Sequence, residues 1–321
     1  MSSTKRVIYA ALLGNVAVAA TKFMASHWTG SSAMFSEAIH SLVDTGNQVL
    51  LLYGLRRAAA KPDPEHPLGY GREVYFWSFI VALLVFALGA GGTLYEGIRH
   101  IRHPEPIKDP VVNYVVLGLA FIFEGSSWLV SLRQFQSVKG TMGFYEAFRR
   151  SKDPPSFMVL FEDTAAIAGL AIAAVGTVSA VLFNEPVLDG VASILIAVLL
   201  GSVALLLARE SKSLLIGEPA GGTLRRDVIK IAEEEQGIER VNGVLTVQLS
   251  PDQVVAAMSV EFTDDLSVPE IERRVIEVER RIRETHPELM MLFVKPQSTK
   301  AFEDAAERRF SSDAPADRQA S

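Results

Sequence analysis

The chain has no cysteine, which excludes disulfides, iron–sulfur clusters and thiolate metal sites. Histidine is scarce, with six in 321 residues, and no His-Glu-x-x-His pairing occurs, so the zinc-protease arrangement is missing. Basic charge is short as well. Lys and Arg total 31 against 37 Asp and Glu, a net charge of −6, which argues against nucleic acid as a partner. No basic n-region with a cleavable apolar core can be distinguished at the start, so the first apolar run reads as an uncleaved anchor.

What the chain has is apolar residues, 49% of the total, with a mean hydropathy of +0.24. Charged residues still reach 21%, so the excess is local. A membrane-spanning helix needs about 20 mostly apolar residues. Six segments qualify, roughly 7–26, 32–55, 74–98, 112–132, 156–182 and 187–208. Lys and Arg orient them. Lys5 and Arg6 precede the first span, and Arg56, Arg57, Lys61 and Arg72 follow the second. Arg133, Lys139, Arg149, Arg150 and Lys152 follow the fourth, and Arg209 and Lys212 end the sixth. On the other side, the turnarounds "SHWTGSS" and "FNEP" carry none. The one between them, near residues 99–110, offsets Arg99, Arg102 and Lys108 with Glu105 and Asp109. Residues 1–208 are therefore expected to form a multi-pass, all-α six-helix membrane domain with both termini cytoplasmic, in a bacterial inner membrane.

Residues 209–297 read as a small cytosolic domain. "GGTLRRDVIKIAEEEQ" has helical spacing with Thr223 as the expected N-cap, and "GVLTVQLS" and "VVAAMSVEF" flank a "PDQ" turn as a hairpin. Ser267-x-x-Glu270 opens a second helix as a capping box, with Pro269 early in it. "LMMLFVKP" closes as a strand. The order αββαβ predicts an α+β, ferredoxin-like domain. Residues 298–321 show no core pattern and are expected to be a disordered tail.

One stretch conflicts with its surroundings. "SEAIHSLVDTGNQ", in the second span, carries Glu37, His40, Asp44, Asn47 and Gln48 at helical spacing. Ionisable groups inside a membrane are costly and mark pathways, and His40 and Asp44 at i and i+4 share one face. Glu124 lies in the fourth span, Glu162 and Asp163 in the fifth, and Lys22 is the only basic residue deep in any of them. Carboxylates unpaired by basic side chains need a cation or a proton, and an imidazole with carboxylates suits a divalent metal. The structural alternatives are a His–Asp couple, Glu124 as a tie between helices, and Asp189 as a helix cap.

The ordered set of motifs resembles the cation diffusion facilitators, a family of proton-coupled zinc and related metal exporters. "SEAIHSLVDTGNQ" is similar to the family's second-helix His-x-x-x-Asp motif. "KPDPEHPLGYGREVYFWS" resembles its loop into the third helix, "LFEDTAAIAG" its fifth helix and "VLDGVASILIA" its sixth. The form "FEDTAAIAG" is similar to that of a branch including a mitochondrial zinc transporter of animals. The resemblance implies a homodimer with a four-ligand site between helices two and five. His40, Asp44 and Asp163 match three ligand positions, and Val159 stands where a histidine is usual. Glu162 is the first stand-in, though it points about 100° from Asp163 on a helix. Asn47, Glu124 or a water are others. Asp63 and His66 fit a second site in the loop after helix two, but Tyr70 replaces a frequent histidine. A proline-stiffened loop is the preferred reading there. The cytosolic domain has no histidine between Glu210 and Thr285, and His286 stands alone among acids.

The expected function is export of a divalent cation, zinc first, from the cytosol by proton antiport. Protons compete for the same ligands, since coordination needs neutral imidazole and ionised carboxylates. The expected partners are the metal ion, protons, the lipid bilayer and a second copy of the chain. No enzyme activity and no cofactor beyond the transported ion are expected. The alternatives are a carrier for manganese, iron or cobalt, favoured by an oxygen-rich site, and a transport-incompetent partner subunit with a degenerate site.

Overall fold

The computed structural model describes residues 3–139, 143–150 and 152–310. It divides into two compact units, residues 1–215 and 216–321.

The first unit is helical. α1 (Ser3–Thr29) and α2 (Ser32–Ala58) are joined by a tight turn at Gly30, whose φ of 73° suits a residue without Cβ. α3 (Glu73–Leu84) continues through a π-helical segment (Val85–Ala90) into α4 (Gly91–Arg102), one rod in all. α5 (Pro110–Lys139), the short α6 (Phe144–Arg150), α7 (Pro154–Leu182) and α8 (Val187–Ile216) come next. Four helices among the described residues are long and apolar enough to cross a membrane: Glu73–Arg102, Pro110–Ser137, Pro154–Leu182 and Val187–Ile216. α2, of similar length, falls outside that group with its polar stripe, and α1 begins with side chains that lie outside the described set. The last helix runs past the expected end at residue 208, because Leu207, Ser211 and Leu214 keep its buried face intact while Arg209 and Lys212 stay out of the core.

Small side chains bring these helices together. One core joins Ala25, Ala33, Ala90, Ala120, Ala165, Ala173 and Ala192 with Met34, Leu170, Ile196 and Leu200. α4 and α8 cross at Gly97 and Gly190, where a Cβ on either would stand within 3.2 Å of the other's backbone carbonyl. The side chains of Lys5, Arg6, Arg149 and Arg150 lie outside the described set.

The second unit holds α9 (Gly222–Glu233), β1 (Ile238–Ser250), β2 (Gln253–Phe262), α10 (Val268–Thr285), β3 (Leu289–Pro296) and α11 (Thr299–Phe310). The sheet order is β1-β2-β3, with β1 and β2 antiparallel and β2 and β3 parallel. The hairpin turns at Pro251 and Asp252, where Ser250 pairs with Gln253. Leu224, Val228 and Ala232 of α9 and Val278 and Ile282 of α10 pack on Val244, Val254, Met258 and Leu292. The Ser267 amide donates to the Glu270 carboxylate at 2.8 Å, as the capping-box spacing predicts. Two expectations are corrected. Gly221, not Thr223, caps α9, and it does so without a side-chain hydrogen bond. The region from residue 298 is not wholly without order: Thr299 donates to Asn242 at 2.7 Å, and Phe302 packs where a Cβ on Gly243 would meet its ring at 2.7 Å. A polar helix with one aromatic anchor has little core pattern to read. Residues 311–321 lie outside the described set.

Candidate metal site

The site begins at the start of α2. Ser31 caps that helix by accepting the Met34 amide at 3.1 Å. Asp189 on α8 accepts the Ser31 hydroxyl at 3.0 Å and the Ala33 amide at 3.1 Å. Asp189 is therefore a cap reaching across from another helix, one of the structural roles its sequence position allows. This fixes α2 axially and presents its polar face inward, where Glu37, His40, Ser41 and Asn47 are all buried.

Two turns along, His40 Nε2 stands 3.4 Å from Asp44 Oδ2. Neither ring nitrogen of His40 has a hydrogen-bond partner, and Asp44 Oδ1 and Asn47 Oδ1 are likewise buried without one. Buried polar atoms left unpaired are rare and costly. With Glu37 Oε1, five on four side chains of one helix face mark a place where valence is kept open.

α7 supplies the facing carboxylates. Glu162 accepts the Asn47 amide at 3.0 Å, and Asp163 accepts the hydroxyls of Ser131 at 2.7 Å and Ser127 at 3.2 Å, both on α5. Glu162 reaches α2, while Asp163 turns toward α5. Neighbouring residues on a helix diverge by about 100°, and the packing of α7 decides which of the two meets α2. Asp44, Glu124, Glu162 and Asp163 line one cavity of about 30 Å³, together with Asn15, Ser41, Gln48 and Val159. That is room for about one water or one small ion. His40 borders Asp44 rather than the cavity itself. Val159, at the position where the resemblance leads one to expect histidine, contributes an apolar wall. Among the described residues, no three His, Asp or Glu side chains are gathered closely enough to hold a metal ion as they stand.

One expectation about charge needs correcting. The acids are not all uncompensated. Lys22 on α1, fully buried, donates to Ser41 at 2.8 Å, Glu37 at 3.2 Å and Glu124 at 3.5 Å. Glu37 and Glu124 are therefore partnered, whereas Asp44, Glu162 and Asp163 have no basic partner among the described Lys and Arg ion pairs. Sequence reasoning passes over Lys22 as a counter-charge because nothing in a linear chain places α1 against α5. It also misses Ser127 and Ser131, although their i, i+4 spacing is a usable signal.

The loop pair behaves differently. Asp63 accepts the Tyr70 hydroxyl at 2.6 Å and the amides of His66 at 2.7 Å and Glu65 at 3.0 Å. The Tyr70 hydroxyl, with the His66 amide, holds its carboxyl below the usual range. The His66 ring packs against Tyr70 with centroids 4.3 Å apart, and the Arg57 guanidinium lies 5.0 Å from the Tyr70 ring centroid. This is a self-satisfied turn. In the second unit, His286 bridges Glu288 at 2.9 Å and Asp227 at 3.2 Å.

Residues 8–216 match the cation efflux transmembrane domain. The chain belongs to the cation efflux, or cation diffusion facilitator, family. It is 34% identical over 244 residues to the mitochondrial proton-coupled zinc antiporter SLC30A9 of Homo sapiens, covering 75% of this chain and 43% of that protein. It is 32% identical over 268 residues to metal tolerance protein C4 of Arabidopsis thaliana, covering 83% and 58% respectively. The cation-efflux pump FieF of Escherichia fergusonii is 23% identical over 296 residues, 87% of this chain and 91% of that one. The chain thus spans about half the length of the first two relatives.

Proposed function

We propose that this chain carries a divalent metal cation, zinc foremost, across a membrane in exchange for protons. The observation that carries the reading is the meeting of Asp44 on α2 with Glu162 and Asp163 on α7 around one ion-sized cavity, beside the unpartnered nitrogens of His40. Asp44, Glu162, Asp163 and His40 are the ligands, and Asn47 orients Glu162. Small movements of α2 and α7 bring the imidazole and the carboxylates onto one ion. Three oxygen ligands with one nitrogen also accept manganese, iron or cobalt, and the imidazole favours zinc among them. Protons displace the ion because each ligand binds one or the other.

In this reading α1 and α2 complete six spans with both termini on the cytoplasmic side of a bacterial inner membrane, and the second unit joins two copies into a homodimer. The names of two relatives, a proton-coupled zinc antiporter and a cation-efflux pump, support the direction and the coupling. The test is zinc-driven proton flux in proteoliposomes with an imposed pH gradient. Flux lost in Asp163→Ala and Glu162→Ala supports the assignment. Undiminished flux in both overturns it, and a wild-type chain that neither binds nor moves zinc is a regulatory partner subunit instead.

A further inference from the structure

Lys22 is the one fully buried lysine among the described residues, and it stands behind the cavity wall rather than in it. Its ammonium has three protons and three acceptors. Ser41 at 2.8 Å and Glu37 at 3.2 Å are held closely, while Glu124 at 3.5 Å is the loosest of the three. Glu124 and Ser41 also line the cavity, whereas Glu37 and Lys22 do not. Glu37 is itself fully buried, with Oε1 unpartnered. Its Oε1 lies only 2.5 Å from where a Cβ on Gly169 of α7 would sit, so the glycine makes the space its carboxylate fills. The ammonium is thus tied to one buried acid away from the cavity and more loosely to another that lines it.

From this geometry we infer that Lys22 is a tethered cation that competes with the transported ion for Glu124. Before the ion arrives, the ammonium takes part of the Glu124 charge and keeps the carboxylate turned toward α1. A divalent ion in the cavity repels the ammonium and attracts Glu124 more strongly. Glu124, already on the cavity wall, then moves onto the ion as a further carboxylate beside the four proposed ligands, while Lys22 stays satisfied by Glu37 and Ser41. A lysine suits this task because it is a compact charge on a flexible stem. The effect is to weaken metal binding by occupying a ligand, which favours release over retention. Lys22 is a positioning residue here, acting through Glu124. The inference rests on the α2–α7 cavity being the ion site.

The test is equilibrium binding of Zn²⁺ to the full chain in detergent. Truncating Lys22 alone would strand Glu37, so the informative variant is Lys22→Gln with Glu37→Gln. It is expected to bind Zn²⁺ about tenfold tighter than the wild type, a factor equivalent to ~1.4 kcal/mol. Adding Glu124→Gln should erase that gain. Merely structural damage would weaken binding, so the sign separates the two. An affinity at or below the wild-type value overturns the inference, as does a gain that survives Glu124→Gln. If the double variant does not fold, Glu124→Gln with Lys22 in place decides. Weaker Zn²⁺ binding supports the handover, and unchanged binding overturns it. Asp163→Ala run alongside separates the two levels: its loss of binding upholds the site, so a failure of the Lys22 variants then counts against Lys22 alone. Binding unaffected by Asp163→Ala overturns both.

Discussion

Two histidine–aspartate pairs in this chain have the same distance from ring nitrogen to carboxylate oxygen, 3.4 Å between His40 and Asp44 in α2 and 3.4 Å between His66 and Asp63 in the loop before α3. The loop pair is half exposed, and its carboxylate is fully occupied by two amides and a phenol. The α2 pair is buried, with both imidazole nitrogens and one carboxylate oxygen unpartnered. Residue type and separation are the same in both places, so neither makes the distinction. What differs is burial, and valence left open by the surrounding protein groups. An exposed ion pair contributes little to stability, whereas buried polar atoms without partners persist only where something else holds them in place or binds them.

The comparison can be broken most forcefully at the ligands. Asp44→Ala should abolish zinc-driven proton flux, a loss well beyond the ~10–100-fold that outer-shell changes cause. His66→Ala should leave the flux within about twofold of wild type, measured side by side in proteoliposomes. Equal losses would erase the distinction. Asn47→Ala is the next largest. It removes the donor that holds Glu162 toward α2 and should lower zinc affinity by roughly 10–100-fold, read by titration of the purified chain. Gly169→Ala pushes a methyl against the end of the Glu37 side chain and should destabilise the first unit by about 1 kcal/mol, the low end for overpacking, read from thermal unfolding in detergent.

The smallest effect belongs to the loop. The folded-state pKa of Asp63 is depressed, so its contribution is present above the unfolded value of about 3.9 and lost as pH falls through the lower folded value. Hydrogen exchange at the Glu65 and His66 amides, corrected for intrinsic rate, should rise below roughly pH 4. Asp63→Asn should show fast exchange with no such step and unchanged transport.

The same contrast explains how much of the fold and the site is legible in the sequence. Periodicity along one helix reads well. The stripe from Glu37 to Gln48, the capping box at Ser267 and the hairpin around Pro251 all depend on neighbours within a few residues. Azimuth between helices does not read, because it is set by packing of distant segments. That is why the sequence does not show that Glu162 points to α2 and Asp163 to α5, and why Lys22 is not recognisable as the partner of Glu37 and Glu124. The π-helical segment at Val85–Ala90 leaves only Gly89 and Ala90 at its end as a trace, and such small residues equally mark ordinary close helix crossings. α11 escapes for a different reason. Its anchoring is one ring against Gly243 and one hydroxyl on Asn242, too few positions to make a pattern.

The central claim is that the open valence between α2 and α7 binds the transported ion. The most direct measurement is the luminal pH of proteoliposomes after a zinc pulse, comparing wild type with Asp163→Ala and Glu162→Ala at matched protein. A zinc-dependent pH change in the wild type that disappears in both variants is the predicted result. An equal pH change in all three would contradict the account.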